Sequence, residues 1–185
     1  MEAVYVDQHY DLVVECKQGK RSAQNQLYRL YAKAMYNVAM RILTSEDEAA
    51  DVLQESFIDA FSRISGFRQE TTFGLWLKQI VINKSISQLR KRKWELVSID
   101  EVDLEDKELI DREKEEDLYF QAEQVRKAIQ LLPDGYRIVL SLYLLEGYDH
   151  EEIAHILKIS ENTSRTQFLR AKRKLIEILK HKGIK

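Results

Sequence analysis

The side chains of this 185-residue chain best suited to chemistry are Thr166, Leu169, Arg170 and Arg173. Arginine bonds guanine bidentately, threonine bonds the edge of either kind of base, and an exposed leucine touches a thymine methyl. At about 100° per residue these four fall on one side of a helix. Phe168, Ala171, Leu175 and Ile178 recur at three- and four-residue steps on the other. The element that must position them begins earlier. Asp149, with Glu152 three residues on, is a helix-start signal: the first side chain accepts from an orphan N–H and the second reaches back. Ile153, Ala154 and Leu157 give that short helix one apolar face, and Ser160 suits the cap of the next. A short helix, a tight turn and a longer helix with a basic, polar outer face form a helix-turn-helix pattern, whose second helix fits a major groove. A helical hairpin with a merely solvated charged face has the same periodicity.

A second constellation lies in GFRQETTFGLW, Gly66 to Trp76. Aromatics, amides and a cation in one loop are the groups needed to stack an unpaired base and bond its edge. The same residues also suit an inter-helix turn with Phe67 and Phe73 as core staples. The helix expected from Phe73 to Trp94 favours nucleic acid. Its first half packs through Trp76, Leu77, Ile80 and Val81, and its second half, NKSISQLRKRKW, is polar and basic. Residues 68–93 hold seven bases (Arg68, Lys78, Lys84, Arg90, Lys91, Arg92, Lys93) against one acid, Glu70. Basic helix ends offset the helix dipole, but four consecutive bases exceed that need and suit phosphate tracking.

The supporting elements read as helices throughout. Residues 8–18 are expected to form a first helix, with Leu12, Val13 and Cys16 inward and Gly19 ending it. Residues 21–43 form a longer one, with Leu27, Leu30, Tyr31, Ala34, Met35, Val38 and Ile42 as a broad apolar stripe. A capping box at Ser45 and Glu48 opens a helix to about Ser65. Its inner face is Leu53, Phe57, Ala60, Phe61 and Ile64. Glu48, Asp51, Glu55 and Asp59 project outward, with Val52 and Ile58 toward that outer side. Residues 45–60 hold six acids and no base. An unmixed acidic face with apolar anchors suits docking on a basic protein surface, and it repels DNA.

From Glu95 to Asp117 there are twelve acids against three bases and no steady apolar period. That is a domain boundary, expected to be mobile or only partly helical. Its length spans at most roughly 80 Å, enough for two basic modules two DNA turns, about 70 Å, apart. Helical periodicity resumes over 118–146. Val125, Ile129 and Leu132 lead to the turn Pro133-Asp-Gly135, and Ile138, Leu140, Leu142, Leu144 and Leu145 supply a small core.

The totals exclude several classes. One proline, six glycines and pervasive helical periodicity indicate an all-α protein. The formal charge of −2 conceals the segregation just described. A single Cys16 excludes an internal disulfide framework and a cysteine zinc site, and fits a reducing cytoplasm. The acidic N-terminal MEAVYVDQHYD lacks a long apolar core, so no signal peptide is expected. No apolar run approaches membrane-spanning length, so no membrane insertion is expected. His150 and His155 stand five apart, not the four a helical zinc pair needs. No phosphate loop, nucleophile elbow or Cys/His pair occurs, so neither an enzyme nor a cofactor is indicated.

Three of these stretches together resemble the bacterial extracytoplasmic-function (group IV) sigma factors of the sigma-70 superfamily, in the family's order over residues 21–180. DEAADVLQESFIDAF (47–61) resembles the polymerase-binding helix of conserved region two. FRQETTFGLWLKQIVINKSISQLRKRK resembles its −10-recognition loop and helix. LPDGYRIVLSLYLLEGYDHEEIAHILKISENTSRTQFLRAKRKL resembles region four, which reads the −35 element. The resemblance implies two small helical domains, region-2-like over 8–94 and region-4-like over 118–182, joined by an acidic linker over 95–117. It implies binding to core RNA polymerase and promoter DNA, local melting of the −10 element, and an anti-sigma partner that holds the protein inactive.

By position, Asp51, Gln54, Glu55 and Phe57 would face the clamp of the largest polymerase subunit. Phe67, Arg68, Gln69, Glu70, Thr71 and Asn83 would hold a flipped-out −10 base, and Arg90, Lys91, Arg92 and Lys93 would follow the backbone. Thr163, Arg165, Thr166, Leu169, Arg170 and Arg173 would meet −35 DNA. The chain departs from the family at Asn162 (usually glycine), Ser164 (commonly aliphatic) and Gln167 (commonly arginine). Gln69-Glu70-Thr71 also replaces a glycine-acid-serine pattern, so neither promoter sequence carries over. A dimeric helix-turn-helix regulator would explain residues 149–180 alone, and a helical adaptor would leave both basic clusters without a role.

Overall fold

The protein, seen in a computed structural model, is described over residues 7–91 and 115–181. The Arg92 and Lys93 expectations, and the acidic stretch up to residue 114, lie outside the described residues. Among those described, the elements are α1 (Tyr10–Lys17), α2 (Arg21–Leu43), α3 (Glu46–Arg63), a 3-10 turn (Ile64–Gly66), α4 (Phe73–Lys91), α5 (Glu115–Gln130), α6 (Asp134–Leu144), α7 (His150–Leu157) and α8 (Glu161–His181). They fall into two compact units, one on each side of the undescribed stretch. The acidic stretch expected to run to Asp117 overlaps the first residues of α5.

In the first unit α2, α3 and α4 pack on one another, and α1 packs on α2. The core is built from Leu27, Ile42, Leu43, Phe73, Leu77, Ile82, Ile86 and Leu89, all fully buried. Each such side chain contributes about 1.5–3 kcal/mol on leaving water. The apolar stripe expected on α2 is narrower than its periodicity suggests, since Leu30 and Ala34 are exposed. On α3, Val52 is buried rather than outward, whereas Ile58 is 62% exposed. α2 and α4 both pack on α3, so its buried face takes in Val52 as well as Leu53 and Phe57.

The second unit is closed by α8. Ile129, Leu132, Leu140 and Ala171 form a buried cluster, with Val125, Tyr136, Phe168, Leu175 and Ile178 packed against it. Ile138, Leu142 and Ile153 are also fully buried. Leu144 and Leu145, expected in that core, are exposed. They sit where α6 ends, beyond the last buried turn at Leu142. The α5–α6 corner is held by buried Arg137, which donates to the Leu132 carbonyl (3.1 Å) and pairs with Asp134 (2.6 Å). That guanidinium satisfies a carbonyl left without a helical partner at the end of α5. Gly147, at φ +80°, makes the turn into α7, a conformation that costs glycine little.

Candidate nucleic-acid interface

The outer face of α3 carries exposed Asp51, Gln54, Glu55 and Ile58. Ser45 accepts the Glu48 N–H at 3.5 Å, which sets where the helix starts. Lys84 of α4 reaches across to Glu55 (3.6 Å) and Asp59 (3.3 Å), so part of the acidic face is already neutralised within the unit. Phe57 does not belong to that face. It is 3% exposed and packs on Tyr28 (4.7 Å between ring centres) and Phe61 (5.7 Å). Spacing places it with Leu53 and Ala60, so it fixes the helix that presents its acidic neighbours.

The loop after the 3-10 turn encloses an open cavity of about 280 Å³, lined by Gly66, Phe67, Arg68, Gln69, Glu70, Thr71 and Trp76. Its floor is aromatic. Phe67, expected as a direct base contact, is 4% exposed; it stacks on Trp76 (4.8 Å, 28° between planes) and meets Phe73 edge-on at 6.2 Å. Its ring therefore belongs mainly to the core. Arg68 and Glu70 form the rim, with highly exposed side chains 4.0 Å apart. Gln69 holds φ +62°, an uncommon left-handed conformation for a residue other than glycine. The Thr72 hydroxyl accepts the Leu75 N–H (3.3 Å) and starts α4. Asn83, Ser87 and Arg90 are exposed at helical spacing on α4. Asn83 lies seven residues beyond Trp76, roughly 10 Å along the axis.

In the second unit the Asp149 capping box is complete. Asp149 accepts the Glu152 N–H at 2.8 Å, and Glu152 accepts the Asp149 N–H at 2.9 Å. Ser160 accepts the Thr163 N–H at 3.0 Å at the head of α8. Along α8, Arg165 and Leu169 are exposed, while Thr163, Thr166, Arg170 and Arg173 are half-buried. Arg165 pairs with Glu161 at 2.5 Å, and the Thr166 hydroxyl donates to the Asn162 carbonyl. All six side chains expected at a DNA surface thus reach the outside of one helix. Ser164 and Gln167, two of the family departures, are buried instead. The Ser164 hydroxyl bonds His150 Nδ1 at 2.9 Å, and the His150 ring stacks on Tyr143 (4.6 Å) and meets Phe168 edge-on (5.5 Å). Burial, then the Arg165 charge, hold His150 below its ordinary pKa, against the smaller opposing pull of Glu161 and Asp149. This pairing locks α7 to α8. Sequence reading missed it, because His150 and Ser164 have no periodic relation.

Two sigma-70 family models match the chain: region 2 over residues 27–95 and region 4 over residues 122–175. The sigma-H factor of Pseudomonas aeruginosa is 30% identical over 175 residues, covering 90% of this chain and 91% of that protein. The chain belongs to the extracytoplasmic-function sigma factors of the sigma-70 family. Sigma factor SigW of Bacillus subtilis is 28% identical over 172 residues (88% of this chain, 92% of SigW). The Escherichia coli sigma-E factor is 30% identical over 170 residues (87% and 88%). Two solved structures share the fold, each with a TM-score of 0.55. They are CnrH in complex with the cytosolic domain of CnrY (22% identity, 92% of this chain and 96% of that one). The other is RpoE in complex with the anti-sigma factor NepR from Bartonella quintana (24% identity, 84% and 96%).

As a sigma factor the chain acts in transcription initiation, with RNA polymerase and promoter DNA as partners. A region 2 match over residues 27–95 is something a lone helix-turn-helix regulator does not have. Sigma factors are initiation factors rather than enzymes. Among the described residues no helix is long and apolar enough to cross a membrane.

Proposed function

We propose that this sigma factor divides promoter opening among three surfaces. The outer face of α3, through Asp51, Gln54, Glu55 and Ile58, docks on core polymerase. Charge gives that contact its orientation, and the apolar Ile58 adds desolvated area. The 66–71 loop captures one base extruded from the −10 element. Arg68, Gln69, Glu70 and Thr71 read its edge, and Phe67 with Trp76 forms the aromatic support beneath. Asn83, Arg90 and Lys91 continue that track, and Arg92 and Lys93 extend the basic run in sequence. The outer face of α8, through Thr163, Arg165, Thr166, Leu169, Arg170 and Arg173, enters the major groove at the −35 element.

The observation that carries this reading is the loop cavity. It has an aromatic floor, a polar rim and a polar helix face leading away from it. Unstacking DNA costs roughly 1.4 kcal/mol per base-pair step, and base–aromatic stacking returns about 1–3 kcal/mol per captured base. Polymerase supplies the catalysis, and this chain supplies base reading. The domains run over 8–94 and 118–182, joined by the acidic 95–117 segment, and the protein works in the cytoplasm. The solved relative RpoE, described in complex with the anti-sigma factor NepR, supports an anti-sigma partner here. Run-off transcription with purified core polymerase tests the whole scheme. Discrete transcripts from a defined start should require this chain, and Arg68→Ala with Thr71→Ala should lower open-complex yield while sparing core affinity. Transcripts of equal yield and start site from that double variant would remove the loop from the mechanism.

A further inference from the structure

One short N-terminal element grips both ends of the loop proposed to hold the extruded base. At the entry, Lys17, the last residue of α1, donates from Nζ to the Phe67 carbonyl at 2.8 Å. The same ammonium lies 5.8 Å from the centre of the Phe67 ring. At the exit, Asp7, just ahead of α1, accepts the Phe73 N–H through Oδ2 at 2.7 Å and the His9 N–H through Oδ1 at 3.0 Å. Phe73 is the first residue of α4, so its N–H has no partner within the helix. A carboxylate there also answers the positive end of the helix dipole. Partners this far apart in sequence, 50 and 66 residues, meet only through tertiary folding.

The gripping element is itself firmly seated. Val13 and Cys16 of α1 are buried. His9 Nδ1 shares a 2.9 Å hydrogen bond with the Tyr31 hydroxyl, and Tyr31 in turn meets the Phe73 ring edge-on at 5.4 Å. Between the two grips, Arg68, Gln69 and Glu70 are exposed, and Gln69 is left-handed. An exposed segment with such a residue keeps one shape only when its surroundings fix it. A cavity already shaped before the base arrives avoids the ordering cost at the moment of capture.

We infer that Asp7 and Lys17 are positioning residues for base capture, fixing the backbone at Phe67 and Phe73 so that the cavity exists ahead of the base. This rests on the reading of the 66–71 loop as the base site. The test uses holoenzyme reconstituted with core polymerase on fork-junction DNA. The DNA carries the −10 region of a promoter mapped by run-off transcription, with an abasic nucleotide moved stepwise along the unpaired strand. Wild type should lose roughly tenfold or more in complex half-life at one position, the size expected for one stacked base. Lys17→Met and Asp7→Ala should shrink that penalty to about threefold or less, and Lys17→Arg should restore it. Core affinity should stay at the wild-type value in both variants. The thermal midpoint should stay there in Lys17→Met, whereas Asp7→Ala should lower it only by the small amount that a lost helix cap costs.

A merely structural defect would lower the midpoint and shorten half-lives equally on intact and abasic DNA; that result overturns the inference. So does a full wild-type penalty in both variants, which leaves the base site itself standing. No penalty at any position in wild type removes the base site, and the positioning role with it. Should Asp7→Ala unfold early, Lys17→Met decides alone, because Lys17 is exposed and methionine keeps most of its stem.

Discussion

At the scale of single residues, side chains that look alike in sequence have separated into contacts and supports. Ile58 stands out from α3 beside Gln54 and Glu55, whereas Phe57 next to it is core. Ile58→Asp is therefore expected to weaken core-polymerase binding by roughly 10- to 150-fold, the equivalent of about 1.5–3 kcal/mol for one buried aliphatic side chain. Its thermal midpoint should be unchanged; a quantitative pull-down with equal affinity would exclude Ile58 from the docking face. Glu55→Lys should act in the same direction, since it also sets a cation against Lys84. His150 gives the second residue-scale prediction. Its pKa lies below the ordinary histidine value of 6.5, chiefly through burial and then through Arg165. The folded state therefore binds fewer protons than the unfolded state just below pH 6.5, and stability rises with pH through that window. The contribution is present in full above 6.5 and fades as pH falls below it. Denaturant titrations across pH 5–7.5 should show this slope, and His150→Asn should flatten it.

At the scale of elements, the ends of helices decide where the DNA-facing side chains go. α7 is only eight residues long, too short to persist alone. Its capping box at Asp149 and the His150–Ser164 bond hold it against α8. Asp149→Ala should cost about 1 kcal/mol of stability, the usual worth of such a cap. It should also lower transcription from promoters that depend on the upstream element, because α8 then loses its fixed entry angle. Chemical denaturation checks the first effect, and paired promoters with and without the −35 sequence check the second. Arg137 does similar work at the α5–α6 corner. Replacing it by methionine leaves the Leu132 carbonyl without that donor and should cost about 1–3 kcal/mol.

At the scale of the molecule, charge and core are both partitioned. Each unit has its own buried cluster, centred on Leu77, Ile82 and Ile86 in the first and on Ile129, Leu140 and Ala171 in the second. Independent cores predict departure from two-state unfolding. Calorimetry should resolve two transitions, with Leu77→Ala lowering one and Leu140→Ala the other. Each substitution should cost about 2–5 kcal/mol. A single transition lowered equally by both would show that the cores unfold as one. Charge partition adds a salt effect: Arg170→Ala should reduce the salt dependence of upstream DNA binding by about one phosphate contact.

The sequence alone determined the helices, their caps and the basic and acidic segregation. Period, capping chemistry and charge are properties of neighbours along the chain, so Asp149–Glu152 and the outward side of α8 are legible in the sequence. Composition and resemblance also motivate the proposed division at 8–94, 95–117 and 118–182. Which side of a wide apolar stripe faces inward was not legible. Val52, Leu30, Leu144 and Leu145 were misplaced because packing partners, not period, settle the edges of a buried face. Phe57 and Phe67 were expected as contacts and are core, for the same reason. The bonds from Asp7 to Phe73, Lys17 to Phe67 and His150 to Ser164 could come only from the tertiary structure. No local pattern links residues so far apart, and these bonds shape the loop and the helix that the sequence had singled out.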